Sequence, residues 1–350
     1  MSQGRIYLDH AATTPLHPAA RKAMAEALEL WHNPSSPHAE GRAAKAALED
    51  ARARIAAALG WGGKIVFTSG ASEALAIALG RSKAGRIFVS AVEHDAVFRA
   101  APGAERLPVD PSGLAGLLSV AGDRPLVAVQ HANNETGILQ PLQSVAQEVR
   151  EKGGLLIADC AQTAGKLPLP DADMITISAH KFGGPPGVGA LLLRDFSLVE
   201  AAGGQEQGYR PGTENLPGIV GMAVALEAGN EWMARAGALR AKLERAILSS
   251  GGEVVGSGSR RIPTIGAYRM PGVPANAQLI QFDIAGIAVS AGSACSSGSL
   301  KPSRVLAAMG WSEGVASEVV RVSFGRTTTE AEVDRFAELW TNIAVRRRAA

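Results

Sequence analysis

A lysine that leaves an apolar strand and enters a Gly/Pro-rich loop is the first candidate for chemistry. It is Lys181, in Ser178-Ala179-His180-Lys181-Phe182-Gly183-Gly184-Pro185. Most lysines beside turns are simply solvated. An ε-amine held against an apolar wall instead has a lowered pKa and attacks carbonyl carbon, the chemistry of a Schiff-base lysine. Ser178 and His180 favour the second reading, because a hydroxyl and an imidazole beside it could hold a phosphate. Upstream, Asp159 ends the apolar run Leu155 to Asp159, and Gln162 follows three residues on. An acid at the C-terminal end of a buried parallel strand lies at the usual ligand edge of an open α/β sheet. It can serve as a helix cap, or as the carboxylate that keeps a heteroaromatic ring nitrogen protonated. One strand, Met174 to Ser178, separates Asp159 from Lys181, which places the two at neighbouring strand ends.

Further polar clusters end other apolar runs. Thr68-Ser69-Gly70-Ala71-Ser72-Glu73 is a strand–turn–helix start. It suits a plain N-cap with an acidic first turn or an anion cradle of free N–H groups. It lacks the GxxxxGK[ST] pattern of an ATP loop. Glu93-His94-Asp95 follows Arg86 to Ser90, and His131 to Gly137 follows Leu126 to Gln130. Either histidine alone reads more readily as structural, but successive polar strand ends would converge on one rim. Cys295 sits among small residues from Ala291 to Ser299, with little apolar cover, where a reactive thiol belongs. Cys160 beside Asp159 reads as packing. The segment Arg321 to Arg326 ends a late strand, and a guanidinium there could grip a carboxylate with two N–H groups or form a surface ion pair; Arg321 is the candidate.

The elements that must position these residues are short apolar runs alternating with alanine-rich helical patterns. Strands are expected at 64–68, 86–90, 126–130, 155–159, 174–178 and 188–193. Their unbroken apolarity suits strands buried on both faces of a mostly parallel sheet. Helices are expected at 18–29, 39–59 and 142–152, and the alternation means an α/β fold. After about residue 230 the pattern changes to a long helix (231–249), shorter strands (264–269, 288–290, 319–323) and a final helix (329–345). The expected division is a large domain over 14–230 and a small α+β domain formed by 1–13 and 231–350, which carries the cysteine loop.

Composition narrows the function classes. At 350 residues the chain is long enough for roughly two domains. Lys+Arg 35 against Asp+Glu 33 leaves a net charge of +2, so no polybasic field serves nucleic acid or an anionic membrane. Two cysteines without a CxxC exclude a disulfide framework and a cysteine-built zinc site, and no metal is expected. The N-terminus lacks a signal-peptide pattern, and no charge-free run of 18 apolar residues occurs. The expectation is a soluble, cytoplasmic protein.

Taken in order, the motifs resemble a known family. They are Tyr7-Leu8-Asp9-His10-Ala11-Ala12-Thr13-Thr14-Pro15, Asn33-Pro34-Ser35-Ser36, the 68–73 turn, EHDAV at 93–97, HANNETG at 131–137 and DCAQ at 159–162. SAHKFGGPPGVGAL at 178–191, GGQEQGYRPGTEN at 203–215, the Cys295 segment and RVSFGR at 321–326 complete the series. Nearly the whole chain thus resembles the pyridoxal-5'-phosphate-dependent cysteine desulfurases of the NifS/IscS-like group, in the class V aminotransferase superfamily. The resemblance implies a fold-type I homodimer. It implies that Lys181 joins the cofactor covalently, that His94 stacks on its ring and takes part in catalysis, that Asp159 pairs with the ring nitrogen and that Gln162 bonds the ring hydroxyl. Ala71, Ser72, Ser178 and His180 would hold the phosphate, with Thr213 supplied across the subunit interface. Asn134 and Arg321 would hold the carboxylate of L-cysteine, and Cys295 would take its sulfur as a persulfide for an iron–sulfur scaffold or thiolation carrier. Ser72 stands where the family often has threonine, Cys160 where it often has alanine, and the C-terminus is short. A selenocysteine lyase or another fold-type I aminotransferase is the alternative; a cofactor-free sulfurtransferase would need neither Lys181 nor Asp159.

Overall fold

A computed structural model describes residues 4–29, 31–117, 119–292 and 302–348. The chain begins with β1 (Ile6–Tyr7), α1 (Pro18–Ala27) and α2 (Ala39–Leu59). It continues through β2 (Lys64–Thr68), α3 (Ala71–Gly80), β3 (Ile87–Ser90), α4 (Asp95–Ala100), β4 (Glu105–Leu107) and β5 (Leu126–Gln130). Then come α5 (Leu142–Glu151), β6 (Leu155–Asp159), β7 (Met174–Ser178), β8 (Gly189–Leu193) and α6 (Leu216–Glu227). The remainder is α7 (Met233–Ser249), β9 (Glu253–Val254), β10 (Ile265–Arg269), α8 (Ala275–Ile284), β11 (Ile287–Ala288), α9 (Arg304–Ala308), α10 (Glu313–Ala316), β12 (Val319–Ser323) and α11 (Glu330–Arg348).

Seven strands form one sheet in the order β2-β8-β7-β6-β5-β3-β4. The pairings β3–β4, β3–β5, β5–β6 and β6–β7 are parallel, and β8 runs antiparallel to both β2 and β7. β5, β7 and β8 are buried along their whole length, as unbroken apolar runs require when helices cover both faces. One face packs against α2, α5 and α6 through Leu48, Ile55, Phe67, Val145 and Ile219. The other packs against α3 and α4 through Leu75, Ile77 and Val97. Because β8 alone is reversed, β2, β3, β5, β6 and β7 all end at one edge. The register lines up Gln130 with Asp159 and Asp159 with Thr176, and brings Thr68 and Ser178 to either side of Gly189.

A second core joins the two chain ends. Leu8 packs with Leu243, Tyr268, Val320, Phe336 and Trp340. Phe282 stacks on Phe336 at 4.7 Å between centroids, and burying such a ring contributes about 1.5–3 kcal/mol. β12, β10 and β9 form an antiparallel sheet here, while β1 pairs in parallel with β11. β11 ends at Ala288, two residues earlier than expected, because β1 offers only Ile6 and Tyr7 as partners. Ser290 forms its own bridge with Arg321. Among the described residues no helix is long and apolar enough to cross a membrane.

Candidate active site

The shared strand edge opens into a cavity of about 420 Å³, within the range of small-molecule sites. Its lining includes Ala71, Ser72, His94, Asn134, Asp159, Gln162, Ser178, His180, Lys181 and Arg321. Ten of the expected site residues therefore meet on one surface. Thr213 is absent from that lining, and Cys295 lies outside the described residues. His131 is also absent from it; its Nδ1 lies 3.1 Å from Thr163 Oγ1, a structural pairing.

At one end of the cavity, α3 starts directly after Gly70, so its first N–H groups face outward with the positive end of the helix dipole. Gly70 has φ +154°, and a Cβ there would lie 3.5 Å from Ser178 Oγ. Gly189 on β8 passes so close that a Cβ would lie 2.6 Å from Gly70 Cα. The turn is thus a bare-backbone cradle with the hydroxyls of Ser72 and Ser178 around it. His180 Nδ1 lies 3.1 Å from Thr13 Oγ1. Burial, and then the charges of Lys181 and Lys166, lower the His180 pKa to about 4. If the Thr13 hydroxyl donates to Nδ1, the neutral ring carries its proton on Nε2, ready to donate to an anion. Glu73 closes the cradle. Its burial alone would raise its pKa, but hydrogen bonds from Ser69 and Arg210 outweigh that and hold it below the usual carboxylate range.

Other lining residues suit a heteroaromatic ring. Asp159 is buried, and its Oδ1 accepts from Thr176 Oγ1 (3.1 Å) and from the Ala161 N–H (2.9 Å). Its orientation is fixed while Oδ2 carries no hydrogen bond from a described residue. Gln162 Nε2 donates to the Ala11 carbonyl at 3.0 Å, which leaves Oε1 buried and without a partner among the described residues. A buried acceptor of that kind needs a donor from a ligand. His94 caps α4 by accepting the Ala96 N–H at Nδ1 (3.2 Å), so its neutral ring holds the proton on Nε2. Lys181 Nζ donates to the carbonyls of Ala11 (2.7 Å) and Ala12 (2.8 Å). These residues fit pyridoxal phosphate: a cradle for the phosphate, an acid for the ring nitrogen, an orphaned acceptor for the hydroxyl and an amine for the aldehyde.

Arg321 is a buried ion-pair member, not a surface one. It donates from Nη2 to Asp9 Oδ1 and from Nη1 to the Asn134 carbonyl, both at 2.8 Å. Its buried Nε has no partner among the described residues.

Two relatives and one solved structure set this geometry in context. The aminotransferase class-V family model matches residues 6–336. The chain belongs to the class-V aminotransferase family. Within it, the chain is 37% identical to the cysteine desulfurase of Cereibacter sphaeroides, over 99% of this chain and 97% of that protein. It is 40% identical to the cysteine desulfurase of Klebsiella pneumoniae, over 94% and 90% of the two chains. The NifS-like protein from Rickettsia africae superposes with a TM-score of 0.89 at 31% identity, covering 97% of this chain and 99% of that one. The architecture is therefore the fold-type I arrangement, and the family's cofactor is pyridoxal 5'-phosphate.

Several contributors were not singled out from residue types. Asp9 and the Ala11 and Ala12 carbonyls come from the motif at 7–15, whose resemblance was visible but whose contacts were not. Lys166 lies fully buried behind the site, and burial followed by the Lys181 charge lowers its pKa to about 7. No sequence signal marked it, because a lysine before a Leu-Pro-Leu-Pro stretch reads as a loop residue.

Proposed function

We propose that this protein is a cysteine desulfurase that converts L-cysteine to L-alanine and leaves the sulfur on Cys295 as a persulfide. The observation that carries the proposal is the convergence of Lys181, Asp159, His94 and Arg321 on one cavity beside an anion cradle. When bound, pyridoxal phosphate supplies an electron sink for the pair left when the Cα proton departs. Ala71, Ser72, Ser178 and His180 would hold its phosphate, and Asp159 would keep the ring nitrogen protonated. Gln162 Oε1 would accept from the ring hydroxyl, and His94 would stack on the ring. Asn134 and Arg321 orient the substrate carboxylate, with the Asp9 contact holding the guanidinium still. Lys181 Nζ removes the Cα proton.

The Cys295 thiolate then attacks the substrate sulfur. The S–S bond forms as the Cβ–S bond breaks, the Cβ carbon takes a proton, and Lys181 Nζ returns a proton to Cα. The sulfur is oxidised and Cβ reduced, so cysteine plus enzyme thiol becomes alanine plus enzyme persulfide with no outside oxidant. A thiol acceptor protein, such as an iron–sulfur scaffold or thiolation carrier, would take the sulfur in a cytoplasmic setting. We further propose that the enzyme works as a homodimer in which Thr213 completes the neighbouring phosphate site.

The test is L-cysteine plus a thiol reductant, with alanine and sulfide measured together. Equal amounts are expected from the wild type. Cys295→Ala is expected to lose sulfide release while borohydride still traps the cofactor on Lys181 by peptide mapping. Cofactor trapped on Lys181 without cysteine turnover would overturn the desulfurase activity and point to amino transfer or selenocysteine.

A further inference from the structure

The turn that follows β1 runs along the cavity and bonds to Arg321, Gln162, Lys181 and His180 of its lining. Its first half meets the substrate and ring residues: Asp9 accepts from Arg321, and the Ala11 carbonyl accepts from both Gln162 and Lys181. Its second half clasps Ala179–Lys181, the short helical turn that follows β7. The Thr14 N–H donates to the His180 carbonyl at 2.8 Å, and the Thr14 hydroxyl lies 3.4 Å from the Lys181 carbonyl. On the other side the Tyr7 hydroxyl donates to the Thr13 carbonyl at 2.9 Å. With the main chain held from both directions, Thr13 Oγ1 lies 3.1 Å from His180 Nδ1.

That contact matters because the His180 ring has one proton to place. Burial, and then the charges of Lys181 and Lys166, keep it neutral, with a pKa of about 4. In a neutral imidazole the bond made by one nitrogen decides whether the other carries the proton. A threonine hydroxyl can donate or accept. If it accepted, the proton would sit on Nδ1, and Nε2 would present a lone pair to a phosphate. If it donates, Nε2 carries the proton and joins the α3 N–H groups and the hydroxyls of Ser72 and Ser178 as a donor to the anion. Thr13 is exposed, so water replaces part of what its hydroxyl supplies, and the expected effect is modest.

We propose that Thr13 is a positioning residue for the cofactor phosphate: its hydroxyl donates to His180 Nδ1 and so commits the His180 proton to Nε2, where it serves the phosphate. The proposal rests on the cofactor and not on the desulfurase reading, so it holds whichever amino acid is the substrate. It predicts a loss confined to the phosphate. The ring and the aldehyde are served by Asp159, Gln162 and Lys181, so a ligand without the phosphate gains nothing from the Thr13 hydroxyl.

The experiment titrates cofactor-free wild type, Thr13→Val and Thr13→Ser with pyridoxal phosphate and, separately, with pyridoxal, which has the same ring and aldehyde. Visible absorbance and borohydride trapping on Lys181 follow binding. Thr13→Val keeps the side-chain shape without the hydroxyl. It is expected to weaken pyridoxal phosphate about three- to tenfold, as loss of one neutral hydrogen bond does, and to leave pyridoxal within about twofold of wild type. Thr13→Ser should restore most of the affinity, and Thr13→Val should add little to His180→Ala, because both remove the same donor. Nitrogen NMR of ring-labelled histidine, with His180→Ala to assign the signal, should place the wild-type proton on Nε2. Unchanged affinity in Thr13→Val overturns the role of Thr13, as does a proton on Nδ1. An equal loss for both ligands also overturns it, since that marks a displaced turn. A wild type that holds pyridoxal as tightly as pyridoxal phosphate would overturn the cradle itself, and the role of Thr13 with it.

Discussion

Lys166 shows how the site holds more positive charge than its chemistry consumes. It is buried, and burial together with the nearby Lys181 charge brings its pKa from 10.5 to about 7. His10 feels the same charge: burial first, and then Lys166, lower it to about 4. A lysine whose folded pKa lies below its unfolded value makes the unfolded state bind more protons between those two values. Stability then rises with pH across that window. The cost of burying Lys166 is fully present below pH 7 and is relieved as pH climbs from about 7 toward 10.5. Lys166→Met is therefore expected to raise the melting temperature near pH 7, with the gain shrinking steadily toward pH 10.5. Thermal denaturation of the cofactor-free protein across that range checks it, and a pH-independent difference would show that Lys166 is not the group responsible.

At the scale of elements, the strands were legible because both faces of each are covered, so β5, β6 and β7 read as unbroken apolar runs ending in polar residues. Their ends line the candidate cavity, which is why so many of its lining residues could be read with them. β8 was equally visible as a strand, but its reversed direction was not, since a buried run looks the same either way. Helix α6 escaped the sequence reading for a different reason. Leu216–Glu227 is apolar almost all round, without a 3.6-residue contrast, and contains Pro217, Gly218 and Gly221, which read as loop. In the fold those glycines permit close packing: a Cβ at Gly218 would lie 2.5 Å from Val188 Cγ2, and one at Gly221 would lie 2.5 Å from Met24 Cγ. Proximity across the sheet also decides the cradle. A Cβ at Gly189 would meet the Ile177 carbonyl at 2.5 Å and Gly70 Cα at 2.6 Å, both backbone atoms that cannot rotate away. Gly189→Ala is expected to displace the Gly70 turn, at a cost of about 1–3 kcal/mol in stability. Cofactor affinity, measured by titrating pyridoxal phosphate, should fall about tenfold or more, equivalent to about 1.4 kcal/mol. Retained affinity would mean that the phosphate does not rely on that turn.

At the scale of the whole molecule, the segment holding Thr213 is braced to the large sheet yet contributes nothing to the cavity of its own chain. Glu206, buried, accepts two bonds from Arg52 at 2.9 Å and the Phe67 N–H at 2.7 Å. This clasp secures Glu206 and Gln207 at positive φ, 50° and 57°, a conformation that side chains resist. Arg210 ties the same segment to Glu73 beside the cradle. We propose that a residue held so firmly yet missing from the cavity of its own chain serves the partner's site across a two-fold axis. Subunit mixing separates the possibilities. Lys181→Ala removes the amine from its own site, and Thr213→Ala weakens whichever site the hydroxyl serves. If Thr213 acts across the interface, a mixed dimer has one site with both defects and one site with neither. Random exchange of equal amounts makes half the dimers mixed, so about a quarter of all sites become intact. Activity should then rise above the average of the two separate variants after exchange. If Thr213 serves its own chain, every site in the mixed dimer carries one defect and exchange restores nothing. That outcome would place the Gly203–Asn215 segment in an intrachain role and remove the need for a dimer from the catalytic argument.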